Sequence, residues 1–280
     1  MEEINKEIIK SAFKIGDKIN ANSILINIDI LKKKGEVPDY FLEDKKVVLV
    51  TKDDIGGLNE IYSKRVINLP KADISRMSQV KFATISGLCS GILNKEWVII
   101  FITGVLFFDT IMIIDIKKEN SVFNFLNFDT NIKPEVFLTI LNIAMELASH
   151  GKNGRPVGTI FVLGDKNKVL KLSKQMIINP FKGYSKVERN LLNPYLKETI
   201  KEFSSIDGAF IISDDGLVIT AGRYLNVSFI KSLPFGLGSR HMSAAGITSK
   251  SKAIAITISE STGTIRIFKD GKILEEIERY

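Results

Sequence analysis

The sequence predicts a two-domain α/β protein. The expected halves are an N-terminal, mostly parallel layered α/β unit over residues 1–127 and a C-terminal unit over residues 128–280 with a mixed central sheet flanked by helices. Three observations predict this. Apolar strand-like runs alternate with helical spacings through the first 120 residues, the pattern of a layered parallel sheet. A polar stretch (Lys117 to Asn120, then Phe128-Asp129-Thr130-Asn131) interrupts that alternation. Beyond it, Asp214-Asp215-Gly216 and Asp270-Gly271 each separate two apolar runs, which is the signature of hairpins and hence of antiparallel pairing.

In chain order, Ile4, Ile8, Ala12 or Phe13, Ile15 and Ile19 recur at helical intervals, so residues 3–20 are expected to form an amphipathic helix. Residues 23–30, 45–51, 65–69, 98–103 and 110–116 are continuous apolar runs suited to buried strands. Residues 54–62 and 73–90 are helix candidates, the second with Asp73 as N-cap. The span from Trp97 to Ile116 is apolar enough to raise a membrane helix, but Asp109 and Asp115 interrupt it and its β-branched content favours two buried strands with a turn near Phe108-Asp109.

In the second half, Pro134 opens a helix that ends near Gly151, with Ile132, Val136, Ile140, Ile143 or Ala144 and Leu147 toward a core. Residues 157–163 form a buried strand, residues 179–184 a turn, and residues 186–203 an amphipathic helix. One hairpin pairs 207–212 with 217–221, residues 253–259 make a further strand, and a second hairpin pairs 264–268 with 272–277.

Composition narrows the function classes. With 45% hydrophobic and 25% charged residues the chain describes a globular protein with ample core material. The lone Cys89 cannot form an internal disulfide, and the acidic start Met1-Glu2-Glu3 lacks the apolar core of a signal peptide, so a cytoplasmic location is expected. Of 39 basic and 32 acidic residues, the first 130 positions hold 18 of each, so the rest of the chain carries the whole excess of positive charge. A basic half suits a polyanion, and a solvated basic face explains it equally well. No helix-turn-helix, zinc-finger or RNA-binding signature accompanies it, so nucleic acid is an unlikely partner.

Two stretches carry chemistry. Asp207-Gly208-Ala209 puts a carboxylate and a glycine at the start of an apolar strand, where the carboxylate suits a divalent metal. Gly238-Ser239-Arg240-His241 puts a hydroxyl, a guanidinium and an imidazole where a loop enters an Ala-rich helix, a natural phosphate site in which Ser239 serves as N-cap or phosphate ligand. Ser259-Glu260 closes a buried strand before the turn Ser261-Thr262-Gly263. Each motif alone is weak, since Asp-Gly is commonly a turn and a lone histidine is commonly structural.

Taken in order, Asp-Gly-Ala, Leu-Gly-Ser-Arg-His and Ser-Glu-Ser-Thr-Gly resemble the diadenylate cyclase family in its archaeal two-domain form, from about Ile132 to the C-terminus. The resemblance implies a nucleotidyltransferase that condenses two ATP into cyclic di-AMP, with Mg²⁺ or Mn²⁺ as cofactor. It implies a homo-oligomer whose active sites meet face to face, and no membrane. By resemblance, Asp207, Arg240 and His241 are catalytic. ATP is held by Gly208, Ala209, Tyr224, Leu225, Gly238, Ser239, Arg240, His241, Ser243, Ser259 and Glu260, and the metal by Asp207 with Glu260, which alternatively supports Arg240. Gly208, Ala209 and Leu225 are expected to line the adenosine, Gly208 because a Cβ there would intrude on it.

The family motif commonly reads Arg-His-Arg, and this chain has Met242 at the third place. That departure keeps open a catalytically silent sensor of ATP or cyclic di-AMP on the same fold. The N-terminal half is similar, at the level of pattern only, to the C-terminal α/β domain of pyruvate kinase, through its opening helix and the Ser23-Ile24-Leu25-Ile26-Asn27 strand. It is expected to be a scaffold or regulatory domain.

Overall fold

The structure is a computed structural model that describes residues 2–30, 44–52, 65–72, 74–105, 108–118, 131–151, 154–227, 234 and 236–279. The chain divides into two compact units, Met1–Lys71 with Ser75–Asn127, and Ala72–Ile74 with Phe128–Tyr280.

The first unit is built on a five-stranded sheet of order β3-β2-β1-β4-β5. Its strands are β1 (Ser23–Asn27), β2 (Val47–Thr51), β3 (Val66–Asn68), β4 (Val98–Val105) and β5 (Phe108–Asp115). The first four run parallel, and β5 returns antiparallel along β4. β1 and β2 are buried at every position, as continuous apolar runs require when both faces of a parallel sheet are covered.

Helix α1 (Glu2–Ile19) covers one face, with Ile9 and Ala12 packed on Ile24, Ile26, Val47, Leu49, Ile100 and Ile102. Ile19, expected on the buried face, is exposed. Helix α2 (Arg76–Cys89) starts from Ser75, whose hydroxyl accepts the Ser78 amide. The N-cap is therefore Ser75 rather than Asp73, which lies outside the described residues, as do the expected helix over 54–62 and Gly56-Gly57. The run over 23–30 ends as a strand at Asn27 and tightens into a 3₁₀ turn at Ile28–Ile30.

Val98–Val105 and Phe108–Asp115 form a pair of antiparallel strands. Phe108 and Asp109 belong to β5, not to the turn, and the strand expected to be buried is an edge on which Ile113 is more than half exposed. Among the described residues no helix is long and apolar enough to cross a membrane.

The second unit carries a seven-stranded sheet of order β12-β11-β10-β6-β8-β9-β7. These are β6 (Ile160–Leu163), β7 (Ser173–Gln175), β8 (Ala209–Ile212), β9 (Val218–Leu225), β10 (Ile254–Ile258), β11 (Ile265–Lys269) and β12 (Lys272–Ile277). Only β6·β8 is parallel; the other pairs run antiparallel, so the sheet is mixed as the two hairpins predict. Asp270 and Gly271, both at positive φ, make the tight turn of the second hairpin.

Helix α3 (Pro134–Ser149) has proline in its first turn and buries Val136, Ile140, Ile143, Ala144 and Leu147, packing on β10 and β11. The short helices α4 (Lys166–Lys171) and α5 (Leu196–Phe203) flank the sheet. Helix α6 (Ser239–Ser249) sets Ala244, Ala245 and Ile247 on Ile160, Val162, Ala209, Ile211 and Ala255, and this is the packing that carries its N-terminus to the sheet end.

Two expectations change here, and two elements are added. The helix over 186–203 begins only at Leu196, because Asn193-Pro194 interrupts it and the preceding residues turn, with Asn190 bridging to Leu217. The strand over 157–163 is confined to Ile160–Leu163. Helix α4 and strand β7 were not anticipated, being short and polar.

Candidate active site

The site is built where α6 begins, beside the bend that precedes β8 and the turn that follows β10. Gly208 has φ of +109°, and a Cβ on it would lie 2.7–2.8 Å from the backbone of Gly222 and Arg223 on β9. The close approach that requires glycine is thus to the neighbouring strand, a different reason from the nucleotide contact expected. The bend leaves the Asp207 side chain 91% exposed.

Gly238, in extended conformation, is the N-cap of α6, with no side-chain cap. Ser239 is consequently the first helical residue and not the cap. The His241 and Met242 amides bond back to the Gly238 carbonyl. The amides of Ser239 and Arg240 have no hydrogen-bond acceptor among the described residues, which leaves two backbone donors at this helix end open to an anion.

Arg240 joins the motifs. One nitrogen of its guanidinium donates to Glu260 Oε2 at 2.9 Å, and another lies 3.5 Å from Asp207 Oδ1. It passes over Gly158, where a Cβ would sit 2.5 Å from Nη1. Arg240 and Glu260 line two clefts of about 530 Å³ each. One is walled by Gly238, Ser239, His241, Ser259, Thr262 and Arg266, and the other by Arg155, Gly158 and Ser205. Ser259 is held by its own turn, its hydroxyl accepting the Thr262 amide and meeting Ser261 Oγ at 3.2 Å.

His241 is 7% exposed, with its ring 6.3 Å from that of Phe268 and its Nε2 3.2 Å from Arg266 Nη1. Burial, with the Arg266 cation beside it, pushes its pKa down to about 4, so the ring is neutral at pH 7. A phosphate bonded by His241 in this position would meet a neutral N–H and not an imidazolium.

Comparison with known proteins covers the stretch that contains these motifs. Residues 146–273 match the family described as DisA bacterial checkpoint controller nucleotide-binding. A diadenylate cyclase of Methanocaldococcus jannaschii is 43% identical over 173 residues, covering 61% of this chain and 55% of that protein. A diadenylate cyclase of Haloferax volcanii is 42% identical over 146 residues, covering 52% and 53%. The C-terminal unit is similar to diadenylate cyclases. The chain spans about half the length of the curated relatives it matches. A crystal structure of DacA from Staphylococcus aureus aligns at 22% identity with a TM-score of 0.37, covering 50% of this chain and 84% of that one.

Within this unit the structure brings together Asp207, Gly238, Ser239, Arg240, His241, Ser259 and Glu260. It does not bring in the side chains of Ala209 and Leu225, which are buried in the core with Ala244 and so face no open space. Tyr224 is more than half exposed on β9, opposite Lys174 of β7 and outside both clefts, and Ser243 lies further along α6, also outside them.

No group of three or more metal-ligating His, Cys, Asp or Glu side chains occurs among the described residues. The donor set nevertheless fits a hard cation of the Mg²⁺ type, which takes one or two carboxylates and completes its shell with phosphate and water. Asp207 offers such a carboxylate, exposed and oxygen-only, whereas an oxygen of Glu260 is already engaged by Arg240. Among the lining residues that the sequence reading did not single out are Gly158, Arg266, Arg155 and Ser205. A glycine inside a strand-like run is itself a sign of close backbone approach, and Gly158 was legible on that ground.

Proposed function

We propose that the protein is a diadenylate cyclase, with residues 128–280 as the cyclase domain and residues 1–127 as a scaffold or regulatory domain. Two ATP are joined when the 3′-hydroxyl of each attacks the α-phosphorus of the other; each attack forms a phosphodiester bond and releases pyrophosphate and the hydroxyl proton. The observation that carries the reading is the convergence of Asp207, Arg240 and Glu260, from three separate stretches of chain, at the open N-terminus of α6.

In this reading the triphosphate lies along the turn. The Ser239 and Arg240 amides and the Ser239 and Ser259 hydroxyls donate to its oxygens, and Arg240 supplies the permanent forked charge. Glu260 holds the guanidinium at its angle. Gly238 and Gly158 keep the backbone close. Asp207 accepts the 3′-hydroxyl proton and is the residue that would hold Mg²⁺ or Mn²⁺. When bound, that cation neutralises phosphate charge against which the attack would otherwise work. Most of the acceleration then comes from positioning and charge, with little covalent work for the protein.

One chain offers a single Asp207 and a single Arg240, while the product has two equivalent bonds. A two-fold encounter of subunits supplies the second half of the site. The reading places the enzyme in the cytoplasm as a homo-oligomer and second-messenger synthase.

The test is incubation of the purified full chain with ATP and Mn²⁺ or Mg²⁺, with the product identified by mass. Cyclic di-AMP with two pyrophosphates per product is expected. ATP bound but unconverted would instead favour the silent sensor, to which Met242 already points. Failure to bind ATP under either metal overturns both.

A further inference from the structure

We propose that Arg266 is a second phosphate-binding guanidinium of the cleft, and that His241 and Glu276 are the residues that position it. The proposal rests on the nucleotide reading above. Arg266 sits on β11 directly opposite Thr257 of β10 and Glu276 of β12, so the three side chains share one face of the sheet. That face is the one α6 covers, which is why His241, in the first turn of α6, reaches it.

Two contacts fix the guanidinium. Its Nε donates to Glu276 Oε1 at 2.8 Å, and its Nη1 bonds His241 Nε2 at 3.2 Å. Arginine keeps all five N–H groups at any working pH, so in this pair the arginine must donate and Nε2 must accept. The ring proton of His241 is then on Nδ1. The His241 pKa is pushed down first by burial and then by the Arg266 cation, and a neutral ring of this kind is the form that can offer Nε2 as acceptor.

Three N–H groups of Arg266 remain without a partner among the described residues, and the side chain lines the same cleft as Ser239, Arg240 and Ser259. A buried hydroxyl beside it, Thr257 Oγ1, also lacks a hydrogen-bond partner among the described residues. Buried polar groups are left open in this way where a ligand or an ordered water completes the network. A guanidinium anchored by one edge and open by the other is preorganised for a phosphate oxygen. On this account His241 acts through Arg266 and does not itself touch the nucleotide.

Calorimetric titration of the full chain with ATP and with inorganic tripolyphosphate tests the proposal. Arg266→Met is expected to weaken both by about 10–100-fold, the size of one charge-assisted hydrogen bond, and Arg266→Lys to recover only part. His241→Phe should weaken both in the wild-type background and add less than about twofold on top of Arg266→Met, as non-additivity requires of residues acting as one unit.

If folded Arg266→Met binds both probes as the wild type does, the proposal falls and the nucleotide reading stands. An equal loss from His241→Phe in both backgrounds also overturns it, since His241 would then bind phosphate by itself. If the wild type binds neither probe, the reading and the proposal fall together. Should Arg266→Met not fold, the ¹⁵N ring spectrum of the wild type decides. The chain has only two histidines, and His241 must show a neutral ring protonated at Nδ1. A ring protonated at Nε2 rules the proposal out.

Discussion

Gly158→Ala is a one-methyl perturbation aimed at Arg240 without touching it. The added Cβ would stand 2.5 Å from Nη1, 3.0 Å from Cζ and 2.9 Å from the Glu260 Cβ. Restoring ordinary contact moves the guanidinium by about 1 Å, and its bonds to Glu260 and Asp207 cannot both survive that shift. The fold loses little. Gly158 is not at positive φ, so alanine is accommodated by the backbone. The Arg240–Glu260 pair, with Glu260 67% exposed, is worth about 0–1 kcal/mol. Crowding against Glu260 costs about 1 kcal/mol, and stiffening of the unfolded chain returns about 0.4–1 kcal/mol.

The net is a destabilisation of about 1 kcal/mol, or a fall in Tm of about 2–4 °C. Activity responds on another scale, because a misplacement of about 1 Å in a positioning group costs on the order of 100-fold. The assay pairs thermal unfolding with product formation followed by mass. Full activity in a protein of unchanged Tm would refute the argument, since Arg240 would then have no need of the position it occupies.

Asp207→Asn is isosteric and exposed, so Tm should hold while product formation falls by at least ~10²–10³-fold. Mixed in excess with wild type after subunit exchange, the variant should suppress activity beyond its dilution, and activity merely proportional to the wild-type fraction would sink the shared site. Met242→Arg should change ATP affinity less than about threefold in a titration, because Arg266 already supplies a second guanidinium to the cleft; a tenfold gain would show that the cleft lacks one. His241 carries a pH signature. Its folded pKa of about 4 lies below the ordinary 6.5, so the fold prefers the neutral ring, and the associated stability is complete above pH 6.5 and lost as pH falls toward 4. The loss is at most about 3 kcal/mol, set by burial, Arg266 and Arg240 against the opposing Glu276. Tm against pH should flatten over that window in His241→Gln, and superimposable profiles would show that the ring is not held neutral.

How much of this was legible in the sequence depends on the range over which each feature is determined. Helix α3 was readable because its proline start and its buried stripe from Val136 to Leu147 are local facts, and the second hairpin because Asp270-Gly271 can hold two positive φ angles in succession. The helix over 186–203 was over-read because Val187, Leu191 and Tyr195 mimic a stripe, yet Val187 and Tyr195 are exposed and Pro194 has no amide to give.

Strand β7 could not be read from Ser173-Lys174-Gln175. Its existence depends on Arg223, fifty residues away, whose guanidinium bonds the Ser173 hydroxyl, the Leu170 and Ser173 carbonyls and Gln175 Oε1.

The site divides along the same line. The Asp207-Gly208 and Gly238–His241 motifs are contiguous, and their chemistry shows in the residue types. Arg266 is an unremarked basic residue in a β-hairpin until the β10·β11 register sets it opposite Thr257 and the packing of Ala244 and Ala245 lowers His241 onto it. A motif read by its letters finds one guanidinium too few at Met242. The sheet offers the missing charge from another strand, because a phosphate oxygen responds to where a donor stands and not to the order in which the chain supplied it.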